Sequence, residues 1–219
     1  MSLSLNAGLK TAALQQYLRA RGVAEPCLLI VGWEGASSRE ISLRRKETLR
    51  VLKGSGALRI GRALGESWRG GRFSGPRQRD ALVDNGVCVE TLETAAYWSK
   101  RSRLRDEVRA ALTDALGSPI VMCHISRAYE TGASLYFTVL SARDAVDPVG
   151  QWERAKGAAC EAITGVGTMS HHHAVGVDHA PYLGAEIGSL GLEVLRAAKA
   201  AVDPTGILNP GKLLGVSAG

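Results

Sequence analysis

Three adjacent histidines, His171, His172 and His173, are the residues whose types most directly suggest chemistry. Their position inside the chain and their small number rule out a purification tag. Imidazole exchanges protons near neutral pH and hydrogen-bonds to anionic reacting groups, so the triplet is a candidate for catalysis. The residues alone leave open a second interpretation, a polar turn with some buried hydrogen bonds.

The spacing of the triplet argues against a metal site. Neighbouring side chains on an extended segment point to opposite faces, so adjacent histidines are poorly placed to bind one ion. No cluster of carboxylates lies nearby in the sequence. We therefore expect no metal here.

Two further residues are candidates with weaker signals. Tyr136 lies in an apolar predicted strand, where alternation puts it on the same face as Ser134 and Thr138. Its phenol is either part of the core, with a satisfied hydroxyl, or a proton acceptor activated by neighbouring cations. Arg79 precedes Asp80 and forms either a surface ion pair or a guanidinium fork that clamps a phosphate.

Periodicity, capping signals and turn residues predict the elements that must position these side chains. Ser37 and Glu40 have the spacing of a capping box, and Asp147-Pro148 is typical of a helix start. Residues 62–79 are rich in glycine and arginine and are predicted to form a functional loop. Helices are predicted over 9–21, 37–53, 94–116, 148–163 and 183–201, and strands over 27–33, 57–61, 83–92, 120–125 and 135–140.

This order of elements predicts an α+β fold in which helices cover an antiparallel sheet. We expect a substrate-binding or cap domain over residues 1–165 and a C-terminal helical segment over residues 166–219. The longest apolar runs are far too short to cross a bilayer. Four scattered cysteines without metal-ligand spacing indicate buried, reduced thiols and a cytoplasmic protein, with peripheral membrane contact left open.

The chain has 219 residues and a net charge of +6. Its basic residues do not form one block, and the densest group, Arg39–Arg50, is best explained as the solvated face of a helix. Aromatic residues are only 5% and are not interleaved with that group, which disfavours nucleic acid as a partner. A non-enzymatic basic binding module is a distant alternative.

Several motifs, in this order, resemble the C-terminal region of the FAD-linked oxidases of the vanillyl-alcohol-oxidase type. Within that family the chain most resembles the alkyldihydroxyacetonephosphate synthases. The resemblance runs from about Cys27 onward, and the set is far more specific than any one motif. The motifs are Leu28–Val31 with Glu34-Gly35, Arg79-Asp80, Val89–Thr94 with Trp98, Tyr129–Ala133 with Tyr136-Phe137, Ser170–His173 with Val175-Gly176, Val202–Pro204, and Leu208–Leu213.

The resemblance implies FAD as cofactor and an anionic or phosphorylated substrate, acyl-dihydroxyacetone phosphate, whose acyl group is exchanged for an alkyl group. It places the phosphate-binding arginine on Arg79, the acid/base tyrosine on Tyr136, and the active-site histidines on His171, His172 and His173. His172, His173 and Asn209 are then expected to contact FAD. The cap is expected to lie over the flavin ring.

The chain departs from the family pattern at His124, where arginine is expected, and in residues 177–181, which lack the expected basic residues. Oxidation of a hydroxy acid or alcohol is therefore an alternative reaction. No segment matches the FAD-wrapping domain, so we expect that domain on the same polypeptide or on a separate subunit. Alone, this chain is expected to bind FAD weakly or not at all and to be inactive; a homodimer is left open.

Overall fold

The structure is a computed structural model that describes residues 8–23, 25–169 and 171–214, without the side chains of 8–13 and 75–77. Its internal contacts divide the chain into two compact units, residues 1–74 and residues 75–219. The second unit includes both sides of the predicted boundary at residue 165. The assignment of separate roles on either side of that boundary stays a prediction.

The described residues of the first unit form three helices: α1 (Gly8–Ala20), α2 (Ser38–Gly54) and α3 (Ala63–Gly71). The predicted cap of α2 is confirmed, because the Ser37 hydroxyl accepts a hydrogen bond from the Glu40 backbone N–H at 3.2 Å. The Glu40 carboxylate in turn accepts from the backbone N–H of Ala36 at 3.1 Å. The second bond uses the residue before the N-cap instead of Ser37 itself, and together the two bonds begin the helix where the sequence predicts it.

Two predictions for this unit are wrong. Residues 27–33 and 57–61 form no strand, and Leu28 and Leu29 are more than half exposed. An apolar run becomes a strand only where a second strand satisfies its backbone groups, and none does so among the described residues. Residues 62–79 are not a loop, since they include all of α3 and the first half of a helix over Gly75–Asp84. In α3, Glu66 pairs with arginines one turn away on either side, which stabilises that helix.

In the part of the second unit that the structure describes, a three-stranded sheet is accompanied by four helices. The strands are β1 (Val87–Tyr97), β2 (Ile120–Ala128) and β3 (Gly132–Ala142), in the order β1-β3-β2 with both pairings antiparallel. This confirms the predicted α+β fold with an antiparallel sheet. The helices are α4 (Gly75–Asp84), α5 (Arg101–Leu116), α6 (Pro148–Ile163) and α7 (Ala180–Val202).

Helices α5 and α6 cover one face of the sheet and form the core with it. Phe137 at the centre of β3 is fully buried, as are Leu104 of α5 and Ala159 of α6. Helix α6 begins as predicted, since the Asp147 carboxylate accepts from the Gly150 backbone N–H at 3.0 Å. The other core members are Leu92, Val108, Leu112, Leu135, Val139, Ala155, Cys160, Ile163 and Met169.

Strand β1 begins at Val87 and ends at Tyr97, four to five residues later at each end than the predicted strand over 83–92, and this overturns the predicted role of Thr94. Thr94 lies inside the strand opposite Leu135, fully buried, and its hydroxyl donates to the backbone carbonyl of Thr168 at 2.9 Å. It therefore caps no helix, and α5 begins at Arg101. Pairing with β3 over eleven residues outweighs the local capping signal.

Helix α7 is interrupted at Gly188, whose φ of 73° and ψ of 174° are not helical. After the helix, the buried Asp203 carboxylate accepts from the backbone N–H groups of Ile207 and Leu208 at 3.1 and 3.0 Å. Lys199 donates to the same carboxylate and to the Leu208 carbonyl. These bonds fix the start of the tail against the end of the helix.

The four cysteines are free thiols, but only Cys160 fits the prediction of burial. Burial in the core raises the pKa of Cys160 to about 11, so this thiol is inert at neutral pH. Cys27 is exposed, because the strand predicted to bury it does not form.

Candidate active site

Three side chains form a row across the sheet, on the face opposite α5 and α6. Tyr136 of β3 lies directly opposite Glu93 of β1 on one side and His124 of β2 on the other. Because directly paired residues share a face, this register brings a carboxylate, a phenol and an imidazole together. The predicted polar face of β3 is confirmed, with Ser134 and Thr138 flanking Tyr136.

Glu93 lies beside both Tyr136 and the histidine triplet, and we call this group with His124 the cluster. The sequence predicts no role for Glu93. Its side chain is fully buried. Its Oε1 atom accepts a hydrogen bond of 2.6 Å from the Ser126 hydroxyl, which also lies 2.6 Å from the Ser134 hydroxyl. Ser126 reaches this position because it is the extra residue of a β-bulge between Ile125 and Arg127.

The histidine triplet lies on a turn whose approach is attached to β1. The Thr168 backbone N–H donates to the Ala95 carbonyl at 3.0 Å, and the Met169 N–H donates to Glu186 at 2.6 Å. The turn closes where Ala174 donates to the His171 carbonyl at 2.8 Å, with a positive φ of 64° at Ala174. A non-glycine residue in this conformation is uncommon and is found preferentially at functional sites.

The turn brings the imidazoles onto Glu93 instead of separating them. His172 Nε2 and His173 Nε2 lie 2.9 and 3.1 Å from Glu93 Oε2, and His171 Nδ1 lies 3.7 Å from Oε1. The expectation that adjacent histidines diverge is therefore wrong. It assumed an extended segment, whereas residues 171–173 form a turn.

The rings also contact each other and Tyr136. The Nδ1 atoms of His171 and His172 are 2.7 Å apart, a distance at which one ring donates to the other. The Tyr136 ring lies 5.4 Å from that of His173 in an edge-to-face arrangement and 5.4 Å from that of His124. Burial lowers the pKa of His171, and this outweighs the opposing effect of the Glu93 carboxylate. The lowered pKa favours an uncharged ring at neutral pH.

The structure does not bring Arg79 and Asn209 into this cluster. Arg79 lies exposed on α4, and Asn209 lies exposed in the tail with a left-handed φ of 46°. Within the described residues, no hydrogen bond, ion pair or ring contact joins either side chain to Tyr136 or the histidines. The tail itself lies close by, since the Leu213 backbone N–H donates to the Gly176 carbonyl at 2.9 Å, three residues after the histidines.

A cavity in the second unit lies beside the cluster rather than around it. It has a volume of about 550 Å³ and is lined by Ala95, Lys100, Tyr129 and Gly167, among others. Neither Tyr136 nor any of the three histidines lines it. The side chains of His172 and His173 are instead 46% and 36% exposed, so the cluster lies on an open surface. We call this surface, formed by Tyr136, His172 and His173, the wall.

Residues 2–213 match the family described as FAD linked oxidases, C-terminal domain. The chain belongs to this family. It is 30% identical over 203 residues to alkyldihydroxyacetonephosphate synthase of Dictyostelium discoideum, covering 90% of this chain and 33% of the relative. It is 27% identical over 192 residues to the synthase of Trypanosoma brucei brucei, covering 85% of this chain and 31% of the relative.

A solved structure of alkyldihydroxyacetonephosphate synthase has the same fold. The TM-score is 0.64 at 24% identity, and the match covers 96% of this chain and 36% of that one. This FAD-linked oxidase C-terminal domain therefore spans about a third of the length of the relatives it matches. Among the described residues, no helix combines the length and apolar character needed to span a membrane.

The sequence predicts site roles for Tyr136 and the histidines, but it predicts none for Glu93, Ser126 or Ser134, which lie beside them in the structure. Glu93 lies in the motif Val89–Thr94, in which Glu90 and Glu93 are three positions apart and so fall on opposite faces of a strand. That offset was the available signal. Which of the two glutamates faces the site depends on which face of the sheet the helices cover, and this is known only from the fold.

Proposed function

We propose that this chain forms the substrate-facing wall of the active site of an FAD-dependent enzyme of the alkyldihydroxyacetonephosphate synthase type. The observation that supports it most is the convergence of Tyr136 and the histidine turn on Glu93, on the sheet face opposite the core. Membership of the FAD-linked oxidases and the two synthases among the relatives support the same conclusion.

The exposed wall fits a flat, polar cofactor ring. His172, His173 and the Tyr136 hydroxyl offer hydrogen-bond groups on a surface that is open in this chain. When bound, FAD would supply an electron-accepting ring beside the carbon atom at which exchange takes place. We assign His172, His173 and Asn209 to contacts with the cofactor.

The chain's own groups would handle protons, charge and substrate position. Tyr136 would take a proton from the substrate and return it, while the imidazoles stabilise the oxygen that gains negative charge. Arg79, exposed on α4, would clamp the phosphate with its guanidinium fork. The fatty acid leaves, and a fatty alcohol that has lost its proton replaces it, so no electrons are gained or lost overall.

The site is complete only with an FAD-binding part, on the same polypeptide or on a separate subunit. Apolar side chains that such a part would cover are exposed on α7 and in the tail: Leu190, Val194, Ile207 and Leu208 are all more than half exposed. Burying them against a second domain would be favourable.

A second candidate reaction is the oxidation of a hydroxy acid or an alcohol on the same wall. His124, whose ring lies 5.4 Å from that of Tyr136, supports this alternative because it adds an imidazole at the end of the row. A proton acceptor at that position suits removal of a hydroxyl proton.

Anaerobic spectroscopy of the complete protein separates the two reactions. Exchange of acyl for alkyl leaves the visible absorbance of the flavin at its oxidised level after turnover, whereas substrate oxidation bleaches it until an acceptor is added. We expect ether product from acyl-dihydroxyacetone phosphate and a fatty alcohol without lasting bleaching. Bleaching by a hydroxy acid, with no ether product, would refute the synthase assignment in favour of the second reaction.

A further inference from the structure

We propose that Glu93, His172 and His173 form a binding site for one divalent transition-metal ion of the zinc class. The ligand atoms are Glu93 Oε2 and the Nε2 atoms of the two histidines. The proposal goes beyond the proposed function, in which no metal takes part, and it is tested on this chain without flavin or turnover.

The positions of the three ligand atoms fit a single ion. The two Nε2 atoms lie 2.9 and 3.1 Å from Oε2, and all three atoms lie within 4.8 Å of one another. Ligands that bind zinc at about 2.0–2.2 Å lie roughly 3 Å or slightly more from each other. Two imidazoles and one carboxylate are a common ligand set for zinc and for non-haem iron.

The close contacts at Oε2 are not aligned hydrogen bonds. Among the described residues, this buried oxygen has no hydrogen-bond partner, although two ring nitrogens lie within about 3 Å of it. A buried carboxylate oxygen without a partner is costly. Short distances without hydrogen-bond alignment are typical of atoms that bind the same metal ion. In such a site each lone pair points at the ion and not at the neighbouring ligand atom.

A second layer of hydrogen bonds orients the ligands. Ser126 donates to Glu93 Oε1 at 2.6 Å, which leaves Oε2 as the oxygen directed at the imidazoles. The 2.7 Å contact between the Nδ1 atoms of His171 and His172 allows His172 to donate through Nδ1. In that tautomer, its Nε2 carries the lone pair that binds a metal.

The position of the site leaves room for further ligands. Glu93 is fully buried, whereas His172 and His173 are 46% and 36% exposed, so the ion would lie at the surface of the wall with coordination positions open to water. The single carboxylate lowers the charge of a divalent ion without cancelling it, and an anion could bind at an open position.

Zinc titration of the chelator-treated chain by calorimetry tests the proposal, with the visible absorption of bound Co²⁺ as a second readout of ligand geometry. We expect one ion per chain and at least a tenfold loss of affinity in Glu93→Gln, with unchanged circular dichroism. His124→Ala is the matched control, because it removes an exposed imidazole of the same row that is not a ligand. Its affinity should equal that of the unaltered chain.

Two more variants keep the test valid if Glu93→Gln fails to fold. His172→Ala changes an exposed side chain and should also weaken zinc binding at least tenfold. Ser126→Ala should weaken it by about tenfold through loss of carboxylate orientation. Absence of stoichiometric zinc binding, or equal affinity in every variant, would overturn the proposal and leave the proposed function untouched.

Discussion

At the scale of single residues, one buried carboxylate organises the candidate site. Glu93 contacts the imidazoles through Oε2 and the Ser126–Ser134 hydroxyl pair through Oε1. Tyr136 has a different position, since its ring contacts imidazoles on two sides. We therefore expect Glu93 to hold the geometry of the cluster and Tyr136 to act on the substrate.

Replacing Tyr136 with phenylalanine removes only the hydroxyl and keeps the ring contacts to His124 and His173. In the complete enzyme we expect turnover to fall by about 10²-fold or more, the usual contribution of an acid–base group, with flavin content unchanged. Steady-state kinetics and the flavin spectrum measure both effects. Tyr129→Phe, at a half-exposed tyrosine outside the cluster, should have near-normal activity; near-normal activity in Tyr136→Phe itself would show that the ring is only structural.

Single residues also mark the limit of prediction from the sequence. The sequence predicts site roles for the histidines and Tyr136 because their side-chain chemistry is distinctive and their motifs are specific. Glu93 was not, because a glutamate inside an apolar strand acquires its role only through the register with β3. The convergence of the histidines was mispredicted, because a turn at residues 171–173 leaves no clear signal in sequence spacing.

At the scale of elements, β1 connects the core to the site. On one face, its Glu90 accepts hydrogen bonds from Trp152 and Lys156 of α6. On the other face, Glu93 holds the imidazoles, and the strand's Ala95 carbonyl binds the segment that leads to the histidine turn. The position of the turn therefore depends on the packing of β1.

Gly167 lies where that segment passes closest to β1. A Cβ atom there would lie 2.6 Å from Thr94 Oγ1 and 2.8 Å from Leu104 Cδ2, closer than packed atoms allow. We expect Gly167→Ala to destabilise this chain by about 1–3 kcal/mol, measured by thermal or denaturant unfolding. Gly157→Ala in α6 is the control, since its Cβ would meet nothing nearer than 3.5 Å; an equal loss in both variants would contradict this account.

The Asp203 carboxylate predicts a pH dependence for the tail. Its hydrogen bond with Lys199, aided by the Leu208 and Ile207 backbone N–H groups, lowers its pKa below the usual range. A lowered pKa in the folded state stabilises the protein above the ordinary aspartate value, about 3.9, and this stabilisation is lost as the pH falls through the folded-state pKa.

We therefore expect Asp203→Asn to lower the melting temperature at pH 7, and this difference should shrink progressively as the pH falls below the ordinary aspartate pKa of about 3.9. Melting curves across this range measure the difference between the variant and the unaltered chain. The exposed Asp178→Asn serves as the comparison, because the Asp178 carboxylate does not anchor the tail. A difference that stays constant with pH would contradict the assigned role of Asp203.

Elements with strong local signals were predicted well, and those that depend on distant partners were not. Helix α6 has its Asp147 cap and a proline at its start, and it begins where the sequence predicts. The apolar run at residues 27–33 has equally good strand composition but no strand partner among the described residues. Strand β1 extends through Thr94 because β3 pairs with it, which no local pattern encodes.

At the scale of the whole molecule, this chain presents a wall rather than an enclosed site. Its likeness to the alkyldihydroxyacetonephosphate synthases covers about a third of their length. The side chains of His172 and His173, which we assign to the cofactor, are exposed, and the cavity beside the cluster does not include them. Affinity for the cofactor would therefore depend on groups outside the described residues.

We expect this chain, purified alone, to bind FAD weakly or not at all. Equilibrium dialysis and the visible spectrum measure the amount retained, and addition of an FAD-binding partner domain should restore stoichiometric flavin. A yellow protein with one flavin per chain in the absence of such a partner would show that the wall is sufficient for binding.

The row of Glu93, Tyr136 and His124 has a consequence for engineering. Backbone hydrogen bonds between the strands hold the three positions about 4.8 Å apart. The spacing of these side chains is therefore set by the backbone and does not depend on which side chain occupies a position. His124 lies at one end of this row, and its side chain is exposed. If the proposed function holds, we expect a small library at residue 124 to change substrate preference while the positions of Glu93 and Tyr136 stay the same.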